Sequence, residues 1–255
     1  MLMILSPAKT FKEEGVSYSL LSQELIFKDK TKELVSILKN YSQEELGQLM
    51  KMSEALSEVN VKRFHRFYEE IEQAMLGIHA FEGEAYKGLD SLSLSEDELA
   101  FSDNRLLILS GLYGAIKPFD SINPYRLEMA TKLSNSKGKD LYAFWKEDLT
   151  VYLLEQLKSS TGDQVLINLA SNEYSKALDL KRIAKEYPVI TIEFKEQKGE
   201  TFKVVGMYAK RARGMMVRYI LKNKIETLEA LKNFSENGYN FNPTISDEFK
   251  WVFTR

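Results

Sequence analysis

Short apolar runs that stop abruptly at polar residues constrain this chain most. Met1-Leu2-Met3-Ile4-Leu5 gives way to Ser6-Pro7, Leu106–Leu109 to Ser110-Gly111, and Val165–Leu169, interrupted only by Asn168, to Ala170-Ser171. Each run is too short for a core helix and reads as a buried strand. Val189–Phe194 and Phe202–Met207 are read as a fourth and a fifth strand. Between them stand helical spacings. Ser22–Asn40 carries Leu25, Leu34, Val35, Ile37 and Leu38. Ser42-Gln43-Glu44-Glu45 is a capping box, in which the serine side chain accepts from an orphan amide and Glu45 reaches back. Ser53 caps a following helix through Leu56, Val59, Phe64, Phe67 and Ile71, so 42–73 reads as a helical hairpin with a tight turn. Lys137–Gln156 and Ala209–Lys224 fit amphipathic helices. Alternating strands and helices predict an α/β (mixed α+β) fold with a mixed sheet core, polar clusters at the strand ends and a helical elaboration. With no linker, repeat or low-complexity tract in 255 residues, residues 1–255 are expected to form one domain. A unit of this size buries roughly three quarters of its unfolded surface.

Composition removes several functions. The chain has no cysteine, which excludes disulfides, thiolate metal sites and a catalytic thiol. Its two histidines, His65 and His79, cannot build a three-histidine centre. Both are expected at the surface or half-buried, His79 in a loop. A carboxylate-only metal site stays open, but no metal or cofactor is expected. No apolar run approaches the roughly eighteen residues of a spanning helix. Met1–Leu5 is too short for a signal-peptide core and no basic segment precedes it, so a cytoplasmic protein with no membrane partner is expected.

Charge is unevenly spread. The formal net charge is only −2. From Arg66 to Asp103, however, ten acidic residues face two basic ones. From Phe202 to Ile225, Lys203, Lys210, Arg211, Arg213, Arg218, Lys222 and Lys224 stand with no acidic residue among them. Such a segment suits an anion, or it pairs with the acidic stretch. Read as opening a helix, Lys210, Arg211, Arg213 and Gly214 would add charge to free amides and a favourable dipole. Arg211, Arg218 and Lys222 fall on one helix face. Phosphate-backbone binding is the chemistry this arrangement suits.

Other polar clusters follow strands: Ser6–Thr10 with Lys9, Ser110–Gly114, Asn123–Met129, and Asn168–Tyr174 with Ser171. They contain neither phosphate-loop nor dinucleotide fingerprint. Ser171 lacks the nucleophile-elbow frame. Glu128 and Glu173 are a candidate carboxylate pair, with Arg126 an obvious partner for Glu128. Lys9 is a candidate nucleophile or base. Tyr125, Arg126, Glu128 and Ser171 would complete a pocket in which Lys210 supplies a neighbouring cation.

Taken in order, Leu5–Thr10, Leu109–Gly114, Pro124–Met129, Gly138–Tyr142, Asn168–Ser171 with Glu173-Tyr174, and Tyr208–Lys210 with Ala212–Gly214 resemble the YaaA family of bacterial peroxide-stress proteins. The resemblance implies a single mixed α/β domain of unusual fold. It also implies a helix–hairpin–helix-like element, a positively charged cleft that binds DNA, and a role in limiting oxidative damage by keeping available iron low. Ser42–Tyr68 is the segment that would match the hairpin, although Met52-Ser53-Glu54 stands where a glycine-bracketed turn is usual.

Three functions are thus expected in competition. The first is DNA binding through backbone or shape, with Arg126, Lys210, Arg211, Arg213, Arg218 and Lys222 on phosphate. The second is an enzyme acting on nucleic acid or a nucleotide, with Lys9, Tyr125, Glu128 and Ser171 as catalytic candidates. The third is a protein-interaction module using the acidic 66–103 face.

Overall fold

The computed structural model describes residues 1–12, 25–68 and 74–255. Strand β1 (Leu2–Leu5) is buried at every position. It runs parallel to two neighbours, β5 (Leu106–Ser110) on one side and β8 (Leu166–Leu169) on the other. A strand buried on both faces needs apolar residues throughout, which is why these runs do not alternate. Beyond β8 lie β9 (Val189–Lys198) and β12 (Lys250–Thr254), both parallel. The edges are antiparallel: β6 (Gly114–Ile116) on β5, β11 (Asn240–Phe241) on β12, and β10 (Thr201–Lys203) folded back on β9. The eight-stranded order is β11-β12-β9-β8-β1-β5-β6, with β10 off the path. Among the described residues, two short ribbons lie outside the sheet. They pair β2 (Thr10–Phe11) with β4 (Phe81–Glu82), and β3 (Met75–Leu76) with β7 (Ser121–Ile122).

The chain leaves β1 for β5 on one side, then returns past β1 to β8 and continues outward through β9 and β12. This places a topological switch between β1 and β8. At such a point the connections diverge and leave a crevice outside the carboxyl ends of the strands.

The helices are α1 (Lys28–Leu38), α2 (Gln43–Met50), α3 (Glu54–His65), the single-turn α4 (Gly77–Ala80), α5 (Glu84–Leu89), α6 (Glu96–Ser102), α7 (Leu141–Ser159), α8 (Asn172–Ser175), α9 (Leu180–Ile183) and α10 (Gly206–Lys222). The predicted capping box opens α2: Ser42 Oγ accepts from Glu45 N, and Glu45 accepts from Ser42 N at 2.7 Å. Ser53 caps α3. Helices α2 and α3 form the predicted pair, joined through Lys51 in the left-handed conformation (φ 51°). The groove between them is lined by Gln43, Glu44, Gln48 and Glu54.

Several boundaries differ from expectation. The strand expected over Phe202–Met207 stops at Lys203, and Gly206 already begins α10. Lys210 and Arg213 therefore lie one and two turns inside the helix, away from its free amides. Strand β9 continues to Lys198 because its far half forms a hairpin with β10. Helix α7 begins at Leu141, capped by Asp140, whose carboxylate accepts from Ala143 N at 2.9 Å. Helix α1 begins at Lys28; residues 22–24 of the expected helix, and Ile71, lie outside the described residues. His65 is exposed. His79 is neither at the surface nor in a loop: it is 3% exposed in α4, with Nδ1 2.8 Å from Ser91 Oγ. Burial holds its pKa down at about 4, and the Lys12 charge adds to this.

One helix contact positions the site. Helices α5 and α10 cross backbone against backbone. A Cβ on Gly214 would stand 1.7 Å from Ala85 O, and one on Gly88 2.1 Å from Arg211 O. Only glycine permits that approach. Among the described residues, no helix is long and apolar enough to cross a membrane.

Candidate functional site

A cavity of about 550 Å³ opens at the carboxyl ends of β1 and β8. Its floor is built by the two strand ends. Ser6, following β1, accepts from Ser171 N at 2.8 Å through its Oγ, and its hydroxyl donates to Ser171 Oγ at 3.3 Å. The buried Tyr86 hydroxyl of α5 donates to Ser6 O at 3.0 Å. The hydroxyl proton of Ser171 is thereby left for a group in the cavity.

One wall is the loop Tyr125–Glu128. It lies directly on Gly111, where a Cβ would stand 2.3 Å from Leu127 O. Tyr125 is buried, and its hydroxyl meets Ser110 Oγ at the end of β5. Ser110 Oγ already accepts from Leu112 N and Tyr113 N, so its own proton is directed to Tyr125. Burial holds the Tyr125 phenol well above its usual pKa, with the Ser110 bond a smaller opposing effect. It is therefore a neutral hydrogen-bonding group.

The lining carries an ion cluster whose Lys9 side chain is 62% exposed. Glu128 Oε1 accepts from Lys9 Nζ at 2.9 Å and from Arg126 Nη2 at 3.2 Å. Glu173 is turned aside: its carboxylate accepts from Ala130 N at 3.3 Å, and its carbonyl from Tyr142 OH at 2.9 Å. Lys210 and Arg213 of α10 complete the lining. Arg213 makes no ion pair or hydrogen bond among the described residues, and its Nε, like that of Arg126, is a buried donor without an acceptor. Burial lowers the Arg213 pKa, and the Glu193 charge opposes this. A half-buried guanidinium with an unpartnered Nε attracts an anion.

The cavity thus gathers Lys9, Tyr125, Arg126, Glu128, Ser171, Lys210 and Arg213. Arg211, Arg218 and Lys222 are not brought there. Arg218 Nη1 donates to Asp90 O at 2.9 Å and to Ser93 Oγ, and pairs with the Asp90 carboxylate at 3.5 Å. It closes the carboxyl end of α5. Lys224 pairs with Asp97 at 3.8 Å, so two of the seven cations do meet the acidic stretch. Arg211 and Lys222 are exposed.

Sequence reasoning missed Glu82, Glu84 and the Gly83-containing turn before α5, which also line the cavity. A glycine between two glutamates, Glu82-Gly83-Glu84, was the available signal. With Glu128 and Glu173 they give four carboxylates against four cations in the lining, so the cavity is mixed in charge. Among the described residues, no group of three or more His, Asp or Glu side chains is placed to hold a metal ion.

Residues 1–245 match the family described as peroxide stress protein YaaA. The chain belongs to this family. Relatives extend the match to full length. A UPF0246 protein of Hahella chejuensis is 45% identical over 258 residues, covering 100% of this chain and 99% of that protein. One from Acaryochloris marina is 44% identical and covers 100% of both chains. One from Clostridium botulinum is 43% identical over 100% of this chain and 99% of its own. Membership of the YaaA family gives the chain a role in the oxidative-stress response.

Proposed function

We propose that the chain serves the peroxide-stress response by binding DNA, and that it does so by drawing one phosphate-bearing nucleotide into the cavity between β1 and β8. Arg126, Lys210 and Arg213 hold the phosphate, while Lys9, Glu128 and Ser171 stand beside it. Arg211 and Lys222, exposed on the outer face of α10, meet flanking phosphates. Arg218, whose donors already serve the end of α5, holds the helix rather than the ligand.

The observation that carries this reading is Arg213, a half-buried cation that lines the cavity, has a buried unpartnered Nε and makes no ion pair among the described residues. An incoming phosphate removes the cost of that unpaired charge and takes up donors in the fork geometry that arginine offers. The volume, about 550 Å³, lies in the range of small-ligand sites. The switch-point position favours a pocket that acts on its ligand, so an enzymatic step on the nucleotide is the second reading.

The test is a binding titration of duplex, bulged and single-stranded DNA across a salt series. Arg213→Ala is compared with Arg211→Ala and with wild type. Affinity is expected to fall steeply with salt. Arg213→Ala should weaken binding at least tenfold, and Arg211→Ala less. Undiminished binding by Arg213→Ala removes the cavity from the account.

A further inference from the structure

The cavity also holds a primary amine poised against a carboxylate, and no property of a passive phosphate site requires that pair. Lys9 Nζ lies 2.9 Å from Glu128 Oε1, and Arg126 fixes the same oxygen from the other side at 3.2 Å. Lys9 is the fourth residue after β1, held between Ser6, which is bonded to Ser171 and Tyr86, and ribbon β2–β4. The other nucleophiles are poorly equipped. The chain has no cysteine. His65 is exposed on α3 and His79 is buried against Ser91, so Ser171 has no imidazole base.

We propose that Lys9 forms an imine with the aldehyde of a phosphorylated sugar, the ring-opened form of an abasic deoxyribose. This rests on the reading that the arginines of the cavity hold a phosphate. The atoms balance without a further reactant. Glu128 takes a proton from the Lys9 ammonium, and the free amine adds to the carbonyl carbon. A proton passes from nitrogen to the former carbonyl oxygen, giving a carbinolamine. Glu128 then returns its proton to that hydroxyl, which leaves as water as the C=N bond forms. The product is an iminium, so Glu128 faces a single positive charge before and after. The carboxylate therefore shuttles one proton while its ion pair persists, and Arg126 keeps it aimed at the nitrogen. Arg213 and Lys210 supply the charge that holds the phosphate of the same sugar.

The same chemistry has two sources, an abasic site in DNA and a free sugar phosphate, and one experiment separates them. Purified full-length protein is mixed with a duplex carrying one abasic site, with deoxyribose 5-phosphate, or with the intact duplex, and then reduced with borohydride. A trapped imine adds the mass of the aldehyde less one oxygen atom, and peptide mass spectrometry is expected to place it on Lys9. Trapping with the abasic duplex alone assigns the DNA site; trapping with both ligands shows that the sugar phosphate suffices. Lys9→Arg keeps the charge opposite Glu128 and should lose the adduct at least tenfold with an unchanged Tm. Lys210→Ala should trap less but still at Lys9. No adduct in either aldehyde arm, or an adduct that persists in Lys9→Arg, overturns the proposal. Intact-duplex binding without trapping refutes the imine alone. Trapping of the free sugar phosphate without duplex binding refutes the DNA reading alone.

Discussion

Asp120 offers the sharpest test of the structure, because its charge has a cost that pH can turn on and off. The side chain is fully buried beside ribbon β3–β7; Oδ2 accepts from Lys117 N at 2.8 Å, and Oδ1 has no partner. Burial raises its pKa from 3.8 to about 7, against the Lys117 amide and charge, which lower it. The folded state therefore binds the proton more tightly than the unfolded chain. Its contribution to stability is complete below pH 3.8 and is lost as pH rises through about 7. Three pKa units correspond to about 4 kcal/mol, or about 1.4 kcal/mol for each pH unit in that window. Asp120→Asn removes the charge and keeps an oxygen for Lys117 N, but leaves an amide NH₂ in place of the orphan oxygen, at about 1–3 kcal/mol independent of pH. The variant's stability relative to wild type, from urea unfolding at half-unit pH steps, should therefore climb by about 4 kcal/mol between pH 4 and 7 and then level off. His79 acts in the opposite sense. Its pKa is lowered from 6.5 to about 4, so stability is lost as pH falls through that interval. The two slopes oppose each other in wild type, and Asp120→Asn should expose the rising limb of His79. A relative stability that stays flat from pH 4 to 7 refutes the assignment of a charged, desolvated Asp120.

Two further outcomes follow from the geometry. Gly214→Ala must part α5 from α10 by more than an ångström. It should cost about 3 kcal/mol or more, read as a lowered Tm, whereas Gly206→Ala, with nothing within 4 Å of its Cβ, should be neutral. Glu128→Gln releases Lys9 and Arg126 from their carboxylate. It should raise affinity for inorganic phosphate roughly threefold to fivefold, as expected from losing a partly exposed ion pair, while an Asp90→Asn variant on the far face should not.

The parts of the fold legible in the sequence were those decided locally. β1, β5 and β8 announced themselves because a fully buried strand must be apolar at every position. The caps of α2 and α3 followed from serines three residues before their amide donors. The strand-end clusters that converge on the cavity were legible as clusters and as a family pattern. What was hidden depends on distant partners. Nothing near Gly88 or Gly214 states that they meet, because the requirement is a carbonyl contributed by the other helix. Arg218 resembles Arg213 in sequence, yet one faces the open end of α5 and the other a cavity. The start of α10 is hidden because Val204 and Val205 suit a strand, while β10 ends where its hairpin with β9 runs out. The expectation that His79 is at the surface or half-buried fails because no local signal reports the Ser91 hydroxyl that meets its Nδ1.

The crossing of α5 and α10 sets how the cavity can adapt. With Gly88 and Gly214 in backbone contact, the turn Gly83–Ala85 and the cations Lys210 and Arg213 form one inflexible jaw. The strand ends beneath it are locked into the sheet. Adjustment to a larger guest is left to the exposed Lys9 side chain, which can turn about its pair with Glu128 without moving backbone. The site therefore behaves as a vice with a single soft face, where a guest is met by side-chain rotation at the Lys9–Glu128 pair rather than by the motion of a domain.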